Sequence, residues 1–296
     1  MGKRKLSYFG NMLLMFTITI LSTAIILSVF SYYQLAETLK EKSYADCQAS
    51  LRKNAQTWEA LYSEFTQLKQ SLIVDPQTEN YFYLTEYDPT EEYKTFLKVK
   101  KTFNINPFME CISLYQARLG HQLYCGTDAV DLSAIWEKLK SENSAVIVPS
   151  KRTDNDEELL VLGYPVYVST FSEPEGAVFL CINAQKAADY IMGDMTYGQV
   201  ILGENNELLL YTGNPLETAP MEWVLDHNGI INETLLHGQN RLICSLYEEN
   251  GVKFANFVHY SDVMHYIRNR EIVFLIICVL IATISAILQT LAVRRK

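Results

Sequence analysis

The chain has 296 residues, of which 49% are hydrophobic and 20% charged, a composition that excludes a disordered chain and allows one large core or two small ones. Its formal net charge is −9, and residues 34–271 hold all 34 acidic residues but only 19 of the 25 basic ones. This acidic segment repels nucleic acid and anionic lipid headgroups, so we predict no nucleic-acid partner; a cationic or zwitterionic ligand remains compatible with its charge.

Two apolar segments without a charged side chain lie at residues 12–33 and 272–293. Each meets the length of about 20 residues that a helix needs to cross a bilayer. Basic residues stand at their outer ends: Lys3, Arg4 and Lys5 before the first, and Arg294, Arg295 and Lys296 after the second. We therefore predict a two-pass protein of the cell membrane, with the stubs 1–11 and 294–296 cytoplasmic and residues 34–271 extracellular. A cleaved signal peptide is the alternative for the first segment, but its apolar core exceeds the typical length of about 7–15 residues.

Residues 34–75 are predicted to form one long helix leaving the membrane, because no glycine or proline occurs there before Pro76. Its side chains repeat every seven residues along two lines: Leu51, Trp58, Phe65 and Leu72, and Cys47, Asn54, Leu61 and Leu68. This is the a/d pattern of a helical seam. The seam packs either on its own domain or on a second copy, which would give a homodimer through residues 44–72 with Asn54 setting the register.

Residues 76–185 are predicted to form a larger lobe in the order helix, two strands, helix, three strands. Its first helix starts near Asp88 with Thr90 as the N-cap. Strands are predicted at residues 111–115, 121–125, 145–148, 159–168 and 177–182, separated by turn residues. Residues 186–271 repeat a smaller set of elements. The predicted fold class is α+β: two transmembrane helices flank two PAS-like lobes, the larger one distal from the membrane.

This order of elements, with a long helix rising from the first span, resembles a double Cache extracellular sensor domain. The segment 257–262, Phe-Val-His-Tyr-Ser-Asp, resembles the strand and turn by which such domains return to the membrane. The resemblance implies a receptor that binds a small ligand outside the cell and passes a conformational signal inward. Receptors of this kind in Gram-positive bacteria continue into a histidine kinase or an AraC-type regulator, and we expect that output to lie outside this chain.

A structural or adaptor protein whose external lobes bind another protein is the alternative function. An enzyme is not predicted, because the sequence contains no Gly-x-Ser-x-Gly or His-Glu-x-x-His motif. Nor do the scattered histidines and cysteines show the spacing of a metal site, so we expect neither a metal nor a cofactor.

Cys111 and Cys125 are the candidate disulfide. If the chain folds back around Arg118, the two residues lie directly opposite each other on antiparallel strands. Their Cβ atoms would then be about 4.5–5.5 Å apart, just beyond the disulfide range of about 3.5–4.5 Å. Two small buried thiols are the alternative.

The ligand-binding candidates are Tyr115, Arg118 and Tyr164, which lie on or beside strands of the predicted distal lobe. A pocket in a PAS-like lobe is lined by aromatic residues with a few polar groups. Arg118 would pair with a carboxylate on the ligand. The alternative is that the tyrosines are ordinary half-buried strand residues. Double Cache domains that bind amino acids carry an Arg-x-Trp string in this region; this chain has none there, so the ligand class stays open.

Overall fold

The computed structural model describes residues 2–126, 130–153, 156–167, 173–193, 198–212, 218–237 and 240–265, together with single positions between 272 and 287. Its helices are α1 Gly2–Ile73, α2 Pro76–Tyr83, α3 Pro89–Phe103, α4 Ser133–Glu142, α5 Ala184–Met192 and α6 Thr218–Asp226. Its strands are β1 Met109–Gln116, β2 His121–Gly126, β3 Val146–Lys151, β4 Glu158–Val166, β5 Gly176–Asn183, β6 Gly198–Leu202, β7 Leu208–Thr212, β8 Ile231–His237, β9 Asn240–Glu249 and β10 Val252–His259.

The strands form two five-stranded sheets, in the orders β2-β1-β5-β4-β3 and β7-β6-β10-β9-β8. The chain divides into two compact units. One contains residues 48–233 and 244–257; the other contains residues 1–47, 234–243 and 258–296. The first sheet lies wholly in the former unit.

Both faces of the first sheet are covered, so its central strand β5 is buried along its whole length. On one face, Leu61, Phe65 and Leu72 of α1 belong to the same core as Ile112 and Leu114 of β1 and Tyr164 of β4. On the other face, Ile135 and Leu139 of α4 pack with Val161 and Phe179. Strands that are buried on both faces have nearly continuous runs of apolar residues, and β4 and β5 show such runs in the sequence.

Helix α3 begins at Pro89, two residues earlier than a cap at Thr90 predicts. Asp88 is the N-cap residue, and its carboxylate accepts hydrogen bonds from the backbone nitrogens of Thr90, at 2.8 Å, and Glu91. Pro89 occupies the first helical position, where its missing N–H costs nothing. The predicted cap at Thr90 is therefore wrong by two residues.

The heptad seam of α1 is packed within its own chain. Leu51, Trp58 and Phe65 are buried in the core that includes the first sheet and Ile201, Leu210 and Phe254 of the second. The amides of Asn54 and Gln199 form a hydrogen bond of 2.9 Å, which satisfies the polar position of the seam internally. The interpretation in which the seam packs on its own domain is confirmed for Leu51, Trp58 and Phe65.

One described helix is long and apolar enough to cross a membrane by length and composition, the segment Ile18–Ile73 of α1. Within the first predicted span, side chains such as Met15, Phe16 and Ile26 are exposed. The second predicted span, residues 272–293, lies outside the described residues apart from its single positions. Residues 260–265, just before it, are helical. Tyr260 and Val263 there pack against the buried pair Ala36 and Met264.

The hairpin of β1 and β2 has a register one residue away from the predicted one. Ile112 pairs with Cys125, and Cys111 pairs with Gly126. The cause is the turn: Gln116 pairs with His121, so four residues connect the strands, and Gly120 supplies the positive φ of 60°. Cys111 and Cys125 consequently point to opposite faces of the sheet. Both are buried free thiols, so the predicted disulfide is wrong in this structure.

The partner of Cys111 across the sheet is instead Cys181 of β5, directly opposite it. Both side chains lie in the core between the sheet and α4. A hydrogen bond with Cys111 together with complete burial raises the pKa of the Cys181 thiol. The Cys181 thiol therefore stays protonated, as a small apolar core residue.

Candidate functional site

The three predicted ligand-binding residues do not form one site. The ring of Tyr115 packs against Trp136 of α4, with centroids 5.0 Å apart, on one face of the first sheet. Tyr164 is buried on the opposite face, in the core with α1. Arg118 lies in the β1–β2 turn, where its Nη2 is 3.4 Å from Oε2 of Glu175.

Tyr164 is a core residue. Its side chain is 3% exposed, and burial raises the pKa of its phenol above the ordinary value. The ammonium of Lys69 lies 5.1 Å from the centre of its ring, a distance suited to a cation–π contact. Tyr164 is thus more deeply buried than the half-buried strand residue of the alternative interpretation.

A cavity of about 370 Å³ opens elsewhere in the unit formed by residues 48–233 and 244–257. Its volume lies in the range of about 300–1,000 Å³ that small-molecule sites occupy. Four segments supply its wall: α1, the end of α4 with the start of β3, the β6–β7 turn and the β9–β10 turn. The lining residues are Ala55, Trp58, Glu59, Tyr62, Lys138, Glu142, Ser144, Ala145, Val146, Ile147, Gly203, Glu204, Asn205, Glu207, Leu209, Glu249, Asn250, Val252 and Phe254.

The inner part of this cavity is aromatic and aliphatic. Trp58, 8% exposed, and Phe254, 1% exposed, are core residues that also reach its surface, and Val146 is buried beside them. Tyr62 is half-buried. Burial, and to a smaller degree the carboxylate of Glu204, raises the pKa of Tyr62, so its hydroxyl stays protonated as a hydrogen-bond donor.

The outer part of the cavity carries carboxylates. Glu59 and Glu142 come from the helices α1 and α4, whereas Glu204, Glu207 and Glu249 come from the two turns of the second sheet. A single cationic side chain, Lys138, is present among the described lining residues, and its Nζ is 3.9 Å from Oε1 of Glu142. The cavity therefore has an apolar floor and a strongly negative rim.

Local backbone geometry fixes two of these glutamates. In the β6–β7 turn, the Gly203 nitrogen donates to the Glu207 carbonyl at 2.9 Å, and Asn206 adopts a positive φ of 60°. The absence of a side chain at Gly203 leaves room for the Glu207 carboxylate, which lies where a Cβ would be. Glu207 Oε2 is buried without a hydrogen-bond partner among the described residues. A buried carboxylate oxygen that lacks a donor is destabilising until a donor binds it.

Sequence reasoning identified Trp58 as a seam residue and the run Glu204-Asn205-Asn206-Glu207 as a turn, but not that they meet. The signal available was weak: an aromatic pair four residues apart, Trp58 and Tyr62, on a helix otherwise explained by its seam. The remaining lining residues lie far apart in the sequence, and only the packing of the turns against α1 brings them together.

No protein-family model matches the chain, and no curated protein matches it. The solved structures do show its fold. The ligand-binding domain of the Campylobacter jejuni chemoreceptor Tlp3 in complex with L-norvaline has a TM-score of 0.58 at 11% identity and covers 76% of this chain and 94% of that one. The extracellular domain of a protein described as a histidine kinase, soHK1S-Z6, has a TM-score of 0.58 at 10% identity, covering 77% and 98%.

The ligand-binding domain of the Pseudomonas aeruginosa amino acid chemoreceptor PctB in complex with L-Arg has a TM-score of 0.54 at 13% identity, covering 76% of this chain and 91% of that one. The chain therefore has the fold of the sensory domains of chemoreceptors and histidine kinases. The predicted α+β fold with a long N-terminal helix and antiparallel sheets is confirmed.

Proposed function

We propose that this chain is a membrane-anchored extracellular sensor that binds a small ligand and passes a conformational signal across the membrane to a cytoplasmic output. The output would be an AraC-type regulator or a histidine kinase outside this chain. The observation that carries the proposal is the cavity of about 370 Å³ beside Trp58, because it is of ligand size and is lined by the same helix that continues into the apolar segment. The shared fold with sensory domains supports it.

The signal would be a shift in population between two conformations of the cavity. A ligand that touches α1 and the β6–β7 and β9–β10 turns at once favours the form in which these segments are closest. Since Trp58 and Tyr62 belong to α1, which is continuous from Gly2 to Ile73, a change at the cavity displaces this helix. Displacements of about 1–2 Å in helices are a known means of switching.

We further propose that residues 12–33 and 272–293 both span the membrane, with both ends cytoplasmic. The charge asymmetry of the sequence supports this topology. Its test is labelling of Asp156→Cys and Lys5→Cys variants with a membrane-impermeant maleimide, against a low background because the described cysteines are buried. Asp156→Cys should react in intact cells and Lys5→Cys only after permeabilisation. The reverse pattern would overturn the topology.

Ligand binding is tested by a thermal-shift screen of the full chain in nanodiscs with amino acids, organic acids, amines, purines and sugars. A ligand at a hundred times its Kd stabilises the folded form by about 2.7 kcal/mol, which corresponds to several degrees in Tm. The shift should be lost in Tyr62→Ala and retained in Glu137→Gln, an exposed change outside the cavity. If no compound raises Tm, the sensor function fails and an adaptor role with a protein partner takes its place.

A further inference from the structure

Four of the five carboxylates that line the cavity have no ion-pair partner among the described residues. None of the described ion pairs includes Glu59, Glu204, Glu207 or Glu249. Lys138, the cation on the described lining, is already beside Glu142. A ligand with a carboxylate would meet repulsion from the rim and would find no arginine on the described wall to bind it. A ligand with a positive charge would meet several carboxylates that have no ion-pair partner among the described residues.

A metal ion does not fit this arrangement. A bound metal needs several ligating side chains close enough to share it, and the described residues include no group of three His, Cys, Asp or Glu side chains so placed. The carboxylates are instead spread around a cavity of about 370 Å³. Their spacing suits an organic ligand rather than a single ion.

The inner lining of the cavity indicates the chemistry of the apolar part of that ligand. Tyr62 is half-buried and presents its ring to the cavity, whereas Trp58, Phe254, Ala55 and Val146 line it with small exposed areas. Aromatic faces bind apolar groups by burial and attract cations through their quadrupole. An apolar chain or single ring would lie on this floor, with its ammonium at the rim.

The half-buried side chain of Glu207 lines the cavity and indicates where the ammonium would bind. Its Oε2 is buried and has no donor among the described residues, so a small rotation of the carboxylate would bring this oxygen to the ligand. The nearby Tyr62 hydroxyl is itself a donor and supplies no positive charge. An ammonium group provides up to three N–H donors and a full charge, which is the complement that this oxygen lacks.

From these observations we infer that the cavity binds an organic amine, a primary ammonium carried on a short apolar chain or a single ring, without a carboxylate. The inference rests on the proposed sensor function and names the ligand class of that same cavity. Glu207 and Glu204 bind the ammonium, and Trp58, Tyr62 and Phe254 enclose the apolar body.

The test is isothermal titration of the full chain in nanodiscs made of zwitterionic lipid with four matched probes: 2-phenylethylamine, 2-phenylethanol, phenylalanine and 3-phenylpropionate. They share a ring and differ in charge. We expect 2-phenylethylamine to bind more tightly than the neutral alcohol, and the carboxylate probes to bind more weakly still. Glu207→Gln keeps the shape of the side chain and should weaken the amine about tenfold or more, the loss typical of a charge-assisted hydrogen bond.

Glu137→Gln, on α4 outside the cavity, removes the same charge from the protein and should leave the amine Kd unchanged. The melting temperature of each unliganded variant establishes that it is folded. Equal weakening by Glu207→Gln and Glu137→Gln would show a general charge effect and overturn the site. Preferred binding of phenylalanine or 3-phenylpropionate, lost in Tyr62→Ala, would overturn the amine class while keeping the sensor. Absence of binding by any probe and by the wider screen would overturn both.

Discussion

The α4 face of the first sheet and the cavity beside Trp58 are built from similar residues but differ in how completely they are filled. On the α4 face, Phe179, Leu139 and Val161 are buried in one core, and Tyr115 packs against Trp136 beside it. At the cavity, Trp58 and Phe254 leave open space, and the glutamates around it have no cationic partner apart from Lys138 in the part of the chain that the structure describes. Aromatic residues on a strand therefore indicate a core as readily as a pocket. Unpaired charge beside aromatic surface is the better indicator of a site.

The largest change in stability should come from creating a cavity in the core between the first sheet and α4. Phe179→Ala removes a ring that is fully buried between the sheet and α4, and we expect a loss of about 3–5 kcal/mol of unfolding free energy. Tyr62→Ala at the cavity should cost less than half as much, since the half-buried tyrosine loses fewer contacts. Urea denaturation followed by tryptophan fluorescence measures both. Equal losses would show that the cavity is packed in solution.

Two glycines sharpen the same comparison. A Cβ at Gly176 would clash with the backbone oxygen of Tyr115 and lie 2.7 Å from the Phe82 ring, so Gly176→Ala should cost about 1–3 kcal/mol. A Cβ at Gly203 would meet the Glu207 carboxylate, which is the movable end of a side chain. Gly203→Ala should therefore change Tm little and weaken amine binding. A large Tm loss in Gly203→Ala would mean that the turn itself is rigid.

The reactivity of the buried cysteines measures how often the core around the first sheet opens to solvent. Burial, and secondarily the neighbouring Cys111, raises the pKa of Cys125, so its thiolate fraction at pH 8 is below that of a free cysteine. We expect iodoacetamide at pH 8 to modify Cys125 and Cys181 far more slowly in the folded chain than in urea, as read by mass spectrometry of the peptides. Fast modification of Cys181 in the folded chain would show that the core between the sheet and α4 opens.

Removing a surface ion pair should change the stability little. Arg118→Ala removes the contact with Glu175, and the Arg118 side chain is 49% exposed. We therefore expect a loss of about 0–1 kcal/mol of unfolding free energy, which disappears at high salt. Thermal unfolding at low and high salt measures it. A loss of ligand binding in this variant would restore Arg118 as the partner of a carboxylate ligand.

The smallest effect is expected at the buried tyrosine of the first sheet. Tyr164→Phe keeps the ring and its packing against α1, and its position lies outside the cavity, so the Kd of 2-phenylethylamine should not change. Titration of this variant beside Tyr62→Ala separates the two regions directly. Weaker binding in Tyr164→Phe would place the ligand on the first sheet after all.

The sequence by itself determined the α+β fold class, the long helix and the acidity of the segment between the apolar ends. These follow from local rules: the periodicity of apolar residues, turn residues between strands and the position of charges. The seam of Leu51, Trp58 and Phe65 was also visible, although its partner was not, because a heptad has the same pattern whether it packs on its own chain or on another.

Tertiary structure alone decided the register of β1 and β2, the faces of Tyr115 and Tyr164 and the cavity. A change of one residue in the length of the β1–β2 turn moves a strand residue to the opposite face of the sheet. The residue that lies opposite Cys111 therefore depended on the turn length, which the sequence of the turn did not reveal. The cavity brings Trp58 together with Glu207 and Glu249, which are far apart in the sequence. No local pattern encodes such a meeting, because it arises from how two turns of one sheet pack beside a helix.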